Sequence, residues 1–385
     1  MPTIPTLESK LPNVGTTIFT LMTNLANEHK AINLSQGFPA FDPPQKLIDG
    51  VKYHLNQNAH QYAPMIGAQS LREALANKIE LLYQNKLDPN TTITITAGAT
   101  QALYTAITAL VHKQDEVIVI DPAYDVYAPS IALCGAKAVH ISCVAPTFEV
   151  PWDQIDAACN EKTSCIIINT PQNPSTKVFS QADIKALEKI VLKHNLFIIS
   201  DEVYEHLIYD DYRHESILKN PILFERAFVC YSFGKLFNNT GWKIGYCVAP
   251  PNLSIEFRKV HQFNVFSVNH PMQLALADFI SNPGSYYLEL SRFYQKKKDA
   301  FESAIRKSRF KIIPSHASYF QLLDYSAISD QVDIEFAKKL ILENGIASIP
   351  ISVFYKDAPN DRILRFCFAK EESTLLKAAK ILCQI

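Results

Sequence analysis

Short apolar, β-branched runs alternate with helical patterns from residue 93 to residue 249, and this alternation limits the possible folds more than any other feature of the chain. Residues 93–97 read Ile-Thr-Ile-Thr-Ala with period two, 116–120 read Glu-Val-Ile-Val-Ile, 165–169 Cys-Ile-Ile-Ile-Asn and 196–200 Leu-Phe-Ile-Ile-Ser. Residues 137–142, 227–231 and 245–249 are further strand candidates. Most of these runs are nearly continuous in apolar residues, as expected of strands covered on both faces. Helical stretches at 99–112, 153–160 and 180–194 lie between them, the last with Ser180 and Asp183 in place to cap it. Such alternation predicts an α/β fold with a mainly parallel seven-stranded sheet flanked by helices and joined by right-handed crossovers. A large domain over 45–285 accommodates it.

Beyond residue 285 the pattern changes. A long polar helix over roughly 285–308 leads to short strands near 311–313 and 318–323, a helix at 332–344, a strand at 362–368 and a final helix. This predicts a smaller α+β domain over 286–385. Residues 1–44 look irregular and are expected to pack on that smaller domain as an N-terminal segment. Two domains suit a chain of 385 residues.

Charge and composition exclude several functions. With 37 Lys and Arg against 38 Asp and Glu the net charge is −1, so a general nucleic-acid binder is not expected. The run Lys296-Lys297-Lys298 reads as a solvated helix face. No apolar run approaches the ~18 residues of a membrane span, and the opening Met-Pro-Thr-Ile-Pro has no signal-peptide pattern. The eight cysteines form no C-x-x-C pair, which favours buried free thiols in a reducing cytoplasm over disulfides or a metal site.

In open α/β sheets, ligands bind at the carboxyl ends of the strands. The residues that follow the strand candidates are Gly98-Ala99-Thr100-Gln101, Asp121-Pro122-Ala123-Tyr124, Thr170-Pro171-Gln172-Asn173-Pro174, Asp201-Glu202-Val203-Tyr204 and Ser232-Phe233-Gly234-Lys235. One sheet edge therefore carries a helix N-terminus suited to an anion, an aromatic ring, an acid and an amine.

With Asn173-Pro174, Asp201-Glu202-Val203-Tyr204, Ser232-Phe233-Gly234-Lys235, Gly241-Trp242-Lys243-Ile244-Gly245-Tyr246 and Arg365-Phe366 in this order, the chain resembles a class I pyridoxal-phosphate aminotransferase over almost its whole length. Ser35-Gln36-Gly37-Phe38-Pro39 and Asn169-Thr170-Pro171-Gln172-Asn173-Pro174 make it most similar to the methionine and kynurenine aminotransferase branch. The resemblance implies the aspartate-aminotransferase architecture (fold type I), pyridoxal 5′-phosphate as cofactor and no metal. It makes Lys235 the catalytic lysine, bonded to the cofactor aldehyde and later a proton shuttle, which calls for a depressed pKa. Asp201 pairs with the pyridine nitrogen, keeping the ring an electron sink. Tyr204 and Asn173 hydrogen-bond the phenolate oxygen, and Tyr124 stacks on the ring, with Tyr127 as the alternative from the same loop. Ala99, Thr100, Ser232 and Lys243 hold the phosphate; aspartate-specific relatives carry an arginine where Lys243 stands, and a lysine binds as a point charge. Tyr62 resembles the tyrosine that reaches the phosphate of a neighbouring subunit, which implies a homodimer with shared active sites.

Each of these residues also has a plain structural reading. Asp201 suits a helix cap, Asn173 an Asx turn before Pro174, and Tyr204 and Tyr62 local packing. Arg365 lies in Leu364-Arg365-Phe366-Cys367-Phe368, on the face opposite the apolar side chains, and so needs a carboxylate partner. Its fork fits the substrate α-carboxylate, with Asn173 and the backbone at Gly37 beside it; a structural ion pair is the other reading.

The expected reaction is ping-pong transamination between an amino acid and a 2-oxo acid. No clear second arginine is present for an acidic side chain, whereas Phe19, Phe38, Tyr62, Phe263 and Phe266 offer aromatic surface. An uncharged donor is expected, methionine first, then aromatic amino acids or kynurenine, with Phe38 and Phe266 at the pocket. Cysteine-conjugate β-elimination on the same site and a non-catalytic cofactor-binding regulator are the alternatives. Glycine is scarce, 11 residues against 22 prolines. Gly37, Gly98, Gly234, Gly241 and Gly245 fall in the motifs above, Gly15 and Gly67 in segments resembling pocket edges, and Gly50, Gly135, Gly284 and Gly345 read as turns or helix ends.

Overall fold

The computed structural model describes residues 6–281 and 286–385. The expected boundary at 285, the first residue of the long helix and Gly284 lie outside the described residues. In chain order the strands are β1 (Ile32–Asn33), β2 (Ile93–Thr96), β3 (Glu116–Asp121), β4 (Lys137–Ser142), β5 (Thr163–Asn169), β6 (Phe197–Asp201) and β7 (Ala227–Ser232). They continue with β8 (Gly245–Val248), β9 (Lys311–Ile313), β10 (Phe320–Asp324), β11 (Ile346–Ala347), β12 (Ile349–Pro350) and β13 (Ile363–Cys367).

Seven of these form the expected central sheet, in the order β2-β8-β7-β6-β5-β3-β4. β3 to β7 pair in parallel, whereas β8 runs antiparallel to both β7 and β2. The cause is the connection. The links between successive parallel strands are longer, whereas residues 233–244 join β7 to β8, about the shortest length that could carry the chain over for a parallel return. The reversal places Gly245, at the amino end of β8, opposite both Ser232 and Thr96.

Alternate strand residues feed two separate cores. Ile118, Ile120, Ile166, Ile168 and Ile198 join one, while Val117, Val119, Cys165, Ile167 and Ile199 join the other. The first is covered by Leu187, Ile190 and Val191 of the helix Gln181–His194, where Ser180 and Asp183 form the expected capping box. The second is covered by Ala102, Leu103, Ala106 and Ile107 of the helix Gly98–Leu110 and by Leu253 and Phe257 of the helix Pro251–Asn264. Fully burying each such Leu, Ile or Phe stabilises the sheet by about 1.5–3 kcal/mol before entropy is counted. The strands therefore cannot slip by one residue without exchanging their two cores.

β12-β13-β10-β9 form a second, antiparallel sheet, with Arg365 of β13 opposite Leu322 and Ile349. The long helix spans Tyr286–Ile305 in the described residues, followed by Asp333–Asn344 and the final Glu372–Leu382. The N-terminal segment is less irregular than expected. Thr17 caps a helix over Ile18–Glu28 whose buried side is Met22 and Ala26, with Ile18 and Leu25 packed alongside, a helical spacing that was present in the sequence. β1 then pairs in parallel with β11, two residues to each strand, too short to be told from loop by pattern. Gly50 is likewise no turn. It lies within the helix Gln45–Asn56, where an added Cβ would come 3.3 Å from that of Ala275, so it allows close contact with the helix His270–Ser281.

Candidate active site

A cavity of about 160 Å³, several times the room a single trapped water needs, opens at the carboxyl edge of the central sheet. Among the residues singled out from sequence, Ala99, Thr100, Tyr124 and Asn173 line it, as do Asp201, Tyr204, Ser232, Lys235 and Lys243. Strand ends as far apart in sequence as Thr96 and Gly245 meet here because the sheet's own register stacks them: Asn169 beside Asp201, Asp201 beside Cys230, and Gly245 beside both Ser232 and Thr96.

One end of the cavity is built for an anion. The helix Gly98–Leu110 starts here, Gly98 adopts φ +76°, and a Cβ added to it would lie 3.5 Å from Nζ of Lys243. The first amides of a 13-residue helix and an ammonium thus face the same place. Gly245 keeps it open. A Cβ there would meet the carbonyl oxygen of Tyr231 at 2.5 Å and the backbone of Gly98 and Ala99 at 2.8 and 2.9 Å.

The opposite chemistry lies deeper. Asp201 is 3% exposed, and burial raises its carboxyl to about 6, against the pull of the Tyr127 hydroxyl, the Val203 amide and Lys235. Tyr127 donates to Oδ2 of Asp201 at 2.7 Å. Its ring stands edge-on to Tyr124, 6.0 Å between centroids, so the two candidates for one role occupy different places: Tyr124 lines the cavity and Tyr127 backs the acid. Lys235 is lowered to about 8, chiefly by burial, with Arg365 and Lys243 adding to the effect and Cys367 and Asp201 opposing it. About a tenth of a lysine population at such a value carries a free lone pair at pH 7, against less than about a thousandth for an exposed lysine near 10.4.

Arg365 is 1% exposed, and burial lowers its guanidinium to about 10. Nη1 donates to Oδ1 of Asn173 at 2.5 Å and Nη2 to the Ser35 carbonyl at 3.2 Å, while Nε has no partner. Its guanidinium carbon lies 3.9 Å from the Phe320 ring centroid, with Phe354 and Phe19 at 5.2 and 5.4 Å. No protein carboxylate forms an ion pair with it among the described residues, so the structural-pair reading finds no partner; Arg365 does not itself line the cavity, and meets it through Asn173, which does. Gly37 lies against it: a Cβ there would meet Phe320 at 3.0 Å and Nη2 of Arg365 at 3.9 Å.

The remaining expectations diverge. Tyr62 is 80% exposed and Phe263 87%, and neither lines the cavity. Tyr62 packs edge-on against Phe266, 5.4 Å between centroids, beside a separate depression lined by His60, Ser267 and His270. Phe38 is half exposed with Lys370 Nζ 4.8 Å above its ring. Within one chain, then, these aromatics do not reach the cavity. Sequence reasoning in turn missed Asn169, which accepts the Asn173 amide at 2.9 Å and donates to the Asp201 carbonyl at 2.9 Å, tying two cavity residues together. It also missed Tyr319, whose hydroxyl lies 3.0 Å from Nζ of Lys235. Asn169 ends an apolar strand and was open to notice; nothing local connects residue 319 with residue 235.

An anion cradle, a buried acid of raised pKa, a buried amine of lowered pKa and a phenol ring lining one cavity fit pyridoxal 5′-phosphate group for group: phosphate, pyridine nitrogen, aldehyde and ring face. The backbone contacts around Gly245 and Gly98 exclude side chains from the phosphate end, as such a ligand requires. This fold and cavity define an enzyme of the pyridoxal-phosphate class.

The comparisons carry this further. The model for the family "Aminotransferase class I and II" matches residues 29–382. Methionine aminotransferase of Escherichia coli K12 is 52% identical, over 100% of this chain and 99% of its own. Mouse kynurenine–oxoglutarate transaminase 1 is 32% identical, over 94% of this chain and 93% of its own. The solved structure of YbdL from Escherichia coli, described as having a methionine aminotransferase function, superposes with a TM-score of 0.97 at 52% identity and 100% coverage of both chains. The chain belongs to the class I and II aminotransferases and is a pyridoxal-phosphate-dependent transaminase.

Proposed function

We propose that this transaminase takes its amino group from methionine, or from another uncharged or aromatic L-amino acid such as kynurenine, and passes it to a 2-oxo acid. The observation that carries the preference is the enclosure of Arg365 by Phe19, Phe320 and Phe354. A carboxylate bound there leaves its side chain among apolar rings, where a second carboxylate would be desolvated without a partner. The likeness to the methionine enzyme of Escherichia coli supports the same choice.

In this reading Ala99, Thr100 and Ser232 with Lys243 hold the cofactor phosphate, Asp201 its pyridine nitrogen, Tyr204 and Asn173 its phenolate oxygen, and Tyr124 the ring face. The bound cofactor supplies a carbonyl that takes up the amino group and a cationic ring that stabilises charge at the substrate α-carbon. The protein does the rest. Arg365 and Asn173, with the backbone at Gly37, fix the substrate carboxylate and so turn the α-C–H bond towards Lys235. Nζ of Lys235 takes the α-proton in the first half-reaction and returns one in the second; a pKa of about 8 suits it to both. Burial of the site keeps water from competing as proton donor.

Tyr62, Phe263 and Phe266 are read as an interface with a second copy, through which Tyr62 and Phe266 complete the partner's site beside Phe38. The exposure of three large aromatics in one region supports this. The division into 1–44, 45–285 and 286–385 is proposed on the same footing, with the β1–β11 pairing in support. A cytoplasmic location rests on the eight cysteines, all of them free.

The test is turnover by the purified holoenzyme with methionine, phenylalanine, kynurenine and aspartate as donors. Methionine is expected to exceed aspartate in kcat/KM by at least about 10²-fold, the scale on which an unpaired buried charge is rejected. Faster turnover of aspartate would overturn the donor assignment, and release of pyruvate and ammonia from cysteine conjugates at a higher rate would favour elimination instead. Sedimentation of wild type against Phe263→Arg reads the dimer.

A further inference from the structure

Tyr319 is fully buried one residue before β10, outside every motif that marks the cavity and absent from its lining. Its hydroxyl donates to the Gly37 carbonyl at 2.7 Å and accepts from Nζ of Lys235 at 3.0 Å, and Nζ also donates to the Gly37 carbonyl at 3.1 Å. The three polar atoms close a triangle. The phenol cannot swing out of it. Tyr204 stands edge-on 5.4 Å away and Tyr294 lies at 5.9 Å. The backbone is pinned on both sides, since the Ser318 amide donates to the Leu207 carbonyl at 2.8 Å and the Phe368 amide to the Tyr319 carbonyl at 2.9 Å. Burial and the neighbouring Tyr204 push the Tyr319 hydroxyl well up, so it remains an O–H donor at any working pH.

We propose that Tyr319 is a positioning residue that, with the Gly37 carbonyl, aims the free amine of Lys235 at the substrate α-carbon. A neutral amine has two N–H bonds and one lone pair. With both N–H bonds committed to Gly37 and Tyr319, the lone pair takes the remaining direction, into the cavity that Lys235 lines. Once Nζ has gained a proton, that third N–H points the same way and can return it. The same backbone also touches the carboxylate end, because Nη2 of Arg365 donates to Ser35, two residues before Gly37. Substrate capture by Arg365 and the aim of Lys235 therefore share the segment 35–37.

The inference rests on Lys235 as the proton carrier, so the experiment includes Lys235→Ala. Wild-type, Tyr319→Phe and Tyr319→His holoenzymes are compared with methionine and with methionine deuterated at the α-carbon. Tyr319→Phe is expected to lose about tenfold in kcat with KM within twofold, and to show a larger primary isotope effect because proton transfer becomes slower. Tyr319→His, which keeps a ring nitrogen able to accept, is expected to lie between the two. In the cofactor-free protein, the pH midpoint for acetylation of Lys235 by acetic anhydride, read by mass spectrometry, is expected to fall by about half a unit in Tyr319→Phe, since the ammonium has lost an acceptor. A merely structural tyrosine would lower thermal stability and leave both the isotope effect and the midpoint unchanged, and that result overturns the proposal. If Lys235→Ala retains turnover, the reading of Lys235 itself fails; if it is inactive while Tyr319→Phe matches wild type, only the role of Tyr319 fails. Should Tyr319→Phe not fold, the His variant carries the same two measurements.

Discussion

The hydroxyl of Tyr127 donates to Oδ2 of Asp201 at 2.7 Å, and both groups are buried. The contact holds the carboxylate in its charged form in a place where burial alone would protonate it. A charge-assisted hydrogen bond of this kind contributes about 2 kcal/mol. Tyr127→Phe is therefore expected to hold the cofactor about 10- to 30-fold more weakly, and the defect should be larger at pH 6.5 than at pH 8.5, where Asp201 ionises without help. Cofactor dissociation followed by absorbance at the two pH values is the check; an equal defect at both would dismiss the electrostatic role.

Asp201 also sets a stability balance. Its folded pKa of about 6 lies above the usual 3.8, so the unfolded chain releases this proton first as pH rises. The contribution of the protonated acid is complete below pH 3.8 and is lost as pH rises through about 6. Cofactor-free Asp201→Asn is expected to be more stable than wild type by about 2 kcal/mol at pH 7.5, with the gap narrowing as pH falls from about 6 towards 3.8, while cofactor function is lost. Urea melts of the two proteins from about pH 4 to pH 8 measure it.

Arg365 holds its guanidinium carbon 3.9 Å over the Phe320 ring, carries a charge and offers a fork. Lysine can supply the charge and neither of the other two. Arg365→Lys should raise KM for both the amino acid and the oxo acid by about 30-fold or more, with a smaller fall in kcat. Steady-state kinetics with methionine decide it, and an unchanged KM would remove Arg365 from the carboxylate site.

Two motif glycines are predicted to differ. At Gly245 a Cβ would run into backbone of Tyr231, Gly98 and Ala99, none of which can turn aside, whereas at Gly241 it would meet nothing within 4 Å. Gly245→Ala is expected to cost about 2 kcal/mol or more and to weaken cofactor binding by shifting the helix N-terminus. Gly241→Ala should remain within about 0.5 kcal/mol of wild type. Thermal melts and cofactor titrations of the two variants separate them.

Most of the groups that line the cavity are legible in the sequence alone. Asp201, Ser232 and Lys235 each follow an apolar run, and the rule that ligands bind at strand ends brings them to one edge without knowledge of strand order. Arg365 stood out as a charge among Leu364, Phe366 and Phe368. The polarity of β8 was not legible, because it depends on how far residues 233–244 can carry the chain. Nor was the division of labour between Tyr124 and Tyr127, three residues apart, the second opening the helix Tyr127–Leu133: only packing decides which ring faces the cavity and which hydroxyl meets Asp201.

The sequence by itself determined the α/β alternation, the two faces of each strand and the set of chemical groups at the sheet edge, because each follows from period, burial and turn residues within a few positions. Only the tertiary structure decided what those groups touch. Tyr319 reaches Lys235 across 84 residues and Gly37 across 282, and Arg365 reaches Ser35 across 330. Contacts at that separation leave no local pattern, since they arise from the docking of whole sheets and not from the conformation of any one segment.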